Sequence, residues 1–247
     1  MLHYTKLLFA ILLVSLFTAC HRPLHVSKTT GQVLLVDSTY KAVQDTQYLQ
    51  SLAPIKEDLE KQLGAPIGYA PEALTVNRPE CTMLNWACDA LLAIAQKQCP
   101  NPVDMAVVNI GSMRCEWAAG EITFRNVFEL MPFDNELVVL TLTGEEIHRL
   151  CEIVATNNGE GMAGLRLKAR NGKVLQVEIN GKSLEKDKTY TVATSDYLSQ
   201  GNDGMLPLKN YIKYWNSEEK IRDLYIEYIK QVKVVQAKVD GRMDIRL

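Results

Sequence analysis

The period of the apolar positions changes several times along this chain, and each change predicts an element. Residues 7–17 are a continuous apolar run, and residues 32–36 read as a short strand. In residues 46–63 the positions Leu49, Leu52, Ile55, Leu59 and Leu63 recur at helical spacing, with Pro54 marking a kink or a break. Residues 67–70 read as a strand. Residues 80–99 carry the clearest helical stripe, formed by Met83, Trp86, Ala87, Ala90, Leu91 and Ile94. Residues 103–108 read as a buried strand and residues 136–142 as a second β run. Residues 144–157 form a further helix with Ile147, Leu150, Cys151 and Val154 inward. Strict alternation over 165–169 and 174–179, punctuated by Asn171-Gly172 and Asn180-Gly181, predicts hairpins, and residues 189–194 extend them as an antiparallel meander. Residues 216–235 read as a late helix opened by an Asn216-x-x-Glu219 cap, and residues 242–247 as a closing strand. Strands in runs with helices between the groups predict an α+β domain with mixed sheets and flanking helices.

Composition narrows this picture little. The 247 residues are 47% apolar and 23% charged, as in an ordinary globular protein. A formal net charge of −2 gives no electrostatic case for nucleic acid or for an anionic membrane surface. The N-terminal run is more informative. Lys6 precedes it, it is too short to span a bilayer, and it ends in Phe17-Thr18-Ala19-Cys20. That ending resembles a bacterial lipoprotein signal, with Cys20 as the lipidated mature N-terminus. The expected organisation is a signal peptide over 1–19, a tether over 20–31 and one domain over 32–247. The second reading is an ordinary secretory signal with an incidental cysteine. Both readings export the chain to the cell envelope, and lipidation would anchor it to a membrane rather than thread it through.

Five further cysteines, Cys81, Cys88, Cys99, Cys115 and Cys151, are an odd set that leaves at least one unpaired. Cys81 and Cys88 stand two helical turns apart, roughly 10 Å along the axis, which is too far for a disulfide. With no Cys-x-x-Cys present, they read as small buried apolar residues rather than zinc ligands.

The candidate chemistry lies in residues 103–145. A strand leads into Asn109-Ile110-Gly111-Ser112-Met113-Arg114, followed by Gly120-x-Ile-Thr123, Pro132-Phe133-Asp134-Asn135 and Leu142-Thr143-Gly144. Upstream stand Glu80-Cys81-Thr82-Met83-Leu84-Asn85 and Asp89-Ala90-Leu91; downstream stand Tyr197-Leu198 and Gly201-Asn202-Asp203-Gly204. Each motif alone is weak, but their shared order and spacing resemble the C-terminal domain of the 5'-nucleotidase family. The resemblance covers about two-thirds of the chain and implies a nucleotide-recognition domain in nucleotide catabolism. It maps Phe133 and Tyr197 onto a pair of aromatic faces that hold a base, where stacking is worth roughly 1–3 kcal/mol per base. It maps Asp203 onto the ribose diol, and Asn109 and Arg114 onto the ligand's polar groups. Arg78, Asn85, Asp89, Gly111, Asn135, Gly201 and Gly204 would support the site from behind.

Three positions depart from the family pattern: Ser112 and Asn202 where glycine is usual, and Tyr197 where phenylalanine is usual. A larger difference concerns the reaction. Full-length relatives carry a metallophosphoesterase domain with Asp-x-His and Gly-Asn-His-Glu motifs, which supplies the two metals that activate water. This chain has four histidines, His3, His21, His25 and His148, and none of those motifs. No catalytic residue, metal ligand or cofactor is therefore expected in it; divalent metals are expected only in a separate metallophosphoesterase partner. Ser195-Asp196 lacks a suitably spaced histidine, and neither Gly-x-Ser-x-Gly nor a phosphate-binding Gly-x-x-x-x-Gly-Lys loop occurs. The alternatives are a non-catalytic exported nucleoside-binding lipoprotein and a degenerate structural relative whose pocket is lost.

Overall fold

A five-stranded sheet organises the molecule because its middle strands are apolar on both faces. In the computed structural model residues 26–33 and 45–247 are described. The signal segment, Cys20 and part of the tether lie outside the described residues, as do residues 34–36 of the strand expected at 32–36. Residues 26–33 are exposed and without regular structure. Residues 50–247 form one compact unit, with residues 1–49 counted as another.

In chain order the helices are α1 (Thr46–Leu63), α2 (Thr82–Gln98), α3 (Phe124–Leu130), α4 (Gly144–Thr156), α5 (Asp196–Ser199) and α6 (Ile221–Val232). The strands are β1 (Pro66–Ala70), β2 (Met105–Val108), β3 (Gly120–Thr123), β4 (Glu136–Thr143), β5 (Gly161–Ala163), β6 (Leu165–Arg170), β7 (Lys173–Ile179), β8 (Lys182–Ser183), β9 (Thr189–Ser195), β10 (Lys213–Lys220) and β11 (Met243–Arg246). The central sheet has the order β10-β4-β9-β2-β5; β11-β6-β7-β8 form a second sheet and β1-β3 a ribbon. The result is the mixed α+β architecture that the patterning predicts.

Alternation sorts the central strands into two cores. Ala106, Val108, Leu137, Val139 and Ala193 face a layer built by α2 and α6, where Trp86 packs between Trp117 and Tyr225 at centroid distances of 5.1 and 5.3 Å. Met105, Val107, Val138, Leu140 and Val192 face α4 and the four-stranded sheet. Burying large apolar side chains on both faces supplies the main driving force, about 1.5–3 kcal/mol for each one fully removed from water. The hairpin turns form as the Asn-Gly pairs require: Asn171 and Gly172 sit at φ 50° and 72°, Asn180 and Gly181 at φ 50° and 74°.

Three expectations are corrected. β9 does not continue the meander. It inserts between β4 and β2, because Val192 and Ala193 are buried on opposite faces, as a central strand demands. The helix expected over 216–235 begins only at Ile221. Asn216 is not its cap: Asn216 Nδ2 donates to Glu136 Oε2 at 2.6 Å and its Oδ1 accepts from the Glu218 N–H at 2.8 Å, making a bulged end to edge strand β10. Pro54 does not split the first helix, since Thr46–Leu63 is one helix with Pro54 inside it. That helix forms on its stripe yet buries no residue; Leu49, Leu52, Ile55 and Leu59 are exposed. No helix among the described residues is long and apolar enough to cross a membrane.

Candidate functional site

Topology brings three loops to one end of the central sheet. β2 and β9 run parallel, so their C-terminal ends lie together, and the antiparallel β4 starts there, with Leu137 opposite Ser195. Residues 109–114 follow β2, residues 196–204 follow β9 and residues 131–135 precede β4. The C-terminal ends of parallel strands are where α/β sheets place ligands.

Asn109 is buried and leads into a single 3-10 turn, Ile110–Ser112. The Ser112 hydroxyl donates to Asn109 Oδ1, and Asn109 Nδ2 donates to Asp203 Oδ2. The Tyr197 hydroxyl donates to the other oxygen, Asp203 Oδ1, at 2.9 Å. That bond, with burial second, raises the Tyr197 hydroxyl above its ordinary 10.0, so it keeps its proton at neutral pH. Asp203 itself is exposed and lies in the left-handed region at φ 53°, between Gly201 at φ 80° and Gly204 at φ 76°. Asn202 Nδ2 donates to the Tyr197 carbonyl at 2.8 Å, closing the loop onto α5. A Cβ at Gly111 would sit 3.3 Å from Asn109 Nδ2 and 3.6 Å from Asp203 Oδ2, so a larger residue there would press on the Asn109 amide.

The two candidate stacking rings stand free of each other. Phe133 is 37% and Tyr197 39% exposed, and they make no ring contact among the described residues. The exposed Arg114 guanidinium lies 5.9 Å from the Phe133 centroid, with one long 3.4 Å bond from Nη1 to the Gly111 carbonyl. It has no carboxylate partner among the described residues. Its donor fork therefore remains open to an oxygen ligand.

Residues that the sequence reading passed over hold these loops. Arg222, 8% exposed, donates to the Phe133 carbonyl at 3.3 Å and to Asp134 Oδ1 at 2.7 Å, and packs 4.4 Å from the Phe128 ring centroid. Lys220 reaches Asp134 Oδ2 at 2.9 Å, and hydrogen bonds from Lys220 and Arg222 hold the Asp134 carboxyl below its ordinary 3.8. The Asn135 carbonyl accepts from the Ile221 N–H at 2.9 Å. Asp196 Oδ1 accepts from the Tyr197 N–H at 2.8 Å and the Glu136 N–H at 3.1 Å, tying one ring's helix to the strand that follows the other ring's loop. Glu160 is buried; its Oε2 accepts from the Ile110 N–H at 2.7 Å and its Oε1 from Arg78 at 2.9 Å. Arg78 also donates to the carbonyls of Asn157 and Gly159. It therefore reaches the Asn109 turn only through Glu160.

Asn85 and Asp89 take a different place. Asn85 Nδ2 donates to Glu80 Oε1 at 2.7 Å and to the Lys238 carbonyl at 2.9 Å, and Asp89 pairs twice with Arg242, at 2.7 and 3.0 Å. Both side chains clamp the C-terminal segment, and a cavity of about 590 Å³ lies beside them, lined in part by Glu72, Lys238 and Asp240. Burial pushes Cys151 up to about 12 and raises Cys115, which Glu129 raises further, so neither is a thiolate. His148 faces Glu152 at 3.7 Å on one helix. Among the described residues no three His, Cys, Asp or Glu side chains stand together as metal ligands.

Comparison with known proteins follows the same geography. The family model "5'-nucleotidase, C-terminal domain" matches residues 66–210, the span that contains all three loops. A 5'-nucleotidase of Vibrio vulnificus is 30% identical over 192 residues, which are 76% of this chain and 34% of that protein. Protein UshA of Yersinia enterocolitica is 28% identical over 210 residues, 82% of this chain and 38% of its own. Among solved structures, a 5'-nucleotidase precursor from Thermus thermophilus superposes with a TM-score of 0.70 at 26% identity, covering 83% of this chain and 44% of that one. The chain thus spans less than half the length of the relatives it matches.

Proposed function

Because the chain belongs to the 5'-nucleotidase family, as its C-terminal domain, we propose that it recognises a nucleoside or nucleotide at the end of the central sheet. The observation that carries this reading is the convergence there of two separated aromatic faces, an exposed carboxylate held by two donors, and an arginine without a carboxylate partner among the described residues. A base would lie between Phe133 and Tyr197, the ribose diol on Asp203, and a phosphate or sugar oxygen on Arg114, with Asn109 orienting Asp203. Phosphoester cleavage would come from a separate metallophosphoesterase carrying the metals. The same reading has the chain exported to the cell envelope and held at a membrane by a lipid on Cys20; lipid labelling lost in Cys20→Ala would support it.

Calorimetric titration of the purified protein with adenosine, AMP and UMP tests recognition. Binding is expected, and Phe133→Ala combined with Tyr197→Ala should weaken it at least tenfold, from the loss of stacking faces worth roughly 1–3 kcal/mol per base. Absence of binding to all three ligands would reject the reading. Adding a metallophosphoesterase that co-purifies with the chain should raise turnover of the nucleotide that binds; binding without such stimulation would leave a capture protein.

A further inference from the structure

Ser112, Tyr197 and Asn202 all make side-chain hydrogen bonds in the small network around Asp203. Ser112 donates to the side-chain carbonyl oxygen of Asn109, which turns the Asn109 amide so that its N–H₂ faces Asp203. The Tyr197 hydroxyl, absent from phenylalanine, donates to the second Asp203 oxygen. Asn202, adjacent to Asp203, ties the loop to the carbonyl of Tyr197. Glycine at 112 and 202 and phenylalanine at 197 would remove every one of these three bonds while leaving the ring and the carboxylate.

We propose that Ser112, Tyr197 and Asn202 are positioning residues that fix Asp203 for a cis-diol, so that the site takes ribonucleosides and discriminates against 2'-deoxyribonucleosides. The proposal rests on the nucleoside reading above. An ionised carboxylate has about four acceptor positions, two on each oxygen. Asn109 occupies one on Oδ2 and Tyr197 one on Oδ1, leaving one on each oxygen toward solvent. With a donor bound at both oxygens the group cannot rotate about its Cβ–Cγ bond without breaking one of them. A cis-diol meets both free positions at once with little ordering left to do, whereas a 2'-deoxyribose fills one and leaves the other without its donor. A carboxylate without the Tyr197 tether would rotate to satisfy itself elsewhere, so the missing hydroxyl would matter less. Asp203 sits in the left-handed region within a single 3-10 turn, Asn202–Gly204, with Gly201 and Gly204 also at positive φ, so no α-helix or strand sets this orientation.

The test is the ratio of dissociation constants for adenosine and 2'-deoxyadenosine, measured by calorimetry on the whole protein. The wild type should prefer adenosine clearly. Tyr197→Phe keeps the stacking ring, so 2'-deoxyadenosine affinity should hold within about twofold while adenosine affinity falls about five- to tenfold, the range a single hydrogen bond spans. Ser112→Gly and Asn202→Gly should shift the ratio in the same direction by about two- to threefold each, because neither side chain bonds to Asp203 itself. Tyr211→Phe, outside the chain of bonds, should leave both affinities unchanged. Equal losses for the two sugars in Tyr197→Phe would mean a merely structural role and overturn the proposal, as would an unchanged or stronger preference for adenosine. A wild-type ratio near one would overturn it while leaving nucleoside recognition standing. Failure of the wild type to bind either ligand would reject the nucleoside reading itself, a result seen before any variant is made.

Discussion

Two polar clusters on this molecule contain residues from the same set of family motifs, and they differ in whether their donors are still available. In the cluster around Arg242, Nε is on Asp240, Nη1 on Asp89 and the Met162 carbonyl, and Nη2 on Asp89 and Asp240. Beside it the buried Glu80 accepts from Asn85 and from the Asp240 N–H. All five guanidinium donors are thus engaged within the fold. Around Asp203 the opposite holds: the carboxylate is exposed with acceptor positions remaining, and Arg114 keeps its fork open. The cavity of about 590 Å³ lies beside the closed cluster. The two clusters thus differ in the state of their strong donors, engaged around Arg242 and open at Arg114. A satisfied guanidinium would have to lose bonds to meet a ligand, which costs about what the new bonds return.

The comparison breaks if stability and ligand affinity fail to separate. Asn85→Ala should have the largest effect. It leaves the buried Glu80 carboxylate short of a donor and the Lys238 carbonyl unpaired, so urea unfolding should report a loss of about 2–3 kcal/mol. Affinity for the nucleoside should not change. Arg242→Ala comes next. It leaves Asp89 and Asp240 without their shared partner, but Asp89 is half exposed and water screens it, so the loss should be about 1–2 kcal/mol. A drop in affinity for either variant would show that the closed cluster also serves the ligand. Arg222→Ala should do both in small measure, since its guanidinium covers Phe128 and holds the Phe133 carbonyl. About 1 kcal/mol of stability should go, with a few-fold loss of affinity from a looser Phe133 loop.

The sequence was most legible where one period ran through an element. The stripe of residues 80–99 and the Asn-Gly turns carry their geometry locally, and both appear within a residue or two of where they are expected. Strand β9 was harder, because neighbours in sequence usually pair. Its doubly buried Val192-Ala193 step was the signal of a central strand. Strand β10 was hidden by Asn216-x-x-Glu219, whose spacing suits a helix cap equally well; only the contact with Glu136, 80 residues away in sequence, decides it. In the candidate site the same limit recurs. The order of motifs makes Asn109, Arg114, Phe133, Tyr197 and Asp203 candidates, and their loops share one sheet end in the structure. Glu160, Asp196 and Arg222 act through bonds that span 50 to 89 residues, and nothing in their own neighbourhood marks them.

The smallest expected effect concerns Asp134, which links the two kinds of cluster: its partners are engaged like those of Asp89, yet it sits beside a candidate ligand ring. Lys220 and Arg222 bonds hold its carboxyl below the ordinary 3.8 in the folded protein. A depressed carboxylate contributes stability that is present above the unfolded value and is lost as pH falls through the folded one. The thermal midpoints of the wild type and Asp134→Asn should therefore differ slightly at neutral pH, in favour of the wild type. The gap should hold above the ordinary carboxylate range, shrink as pH falls below it, and close only once pH has passed below the depressed folded value, where both side chains are neutral. A gap that persists at the acid end would assign the contribution of Asp134 to shape rather than charge, and the Phe133 loop would then owe its position to Arg222 packing alone.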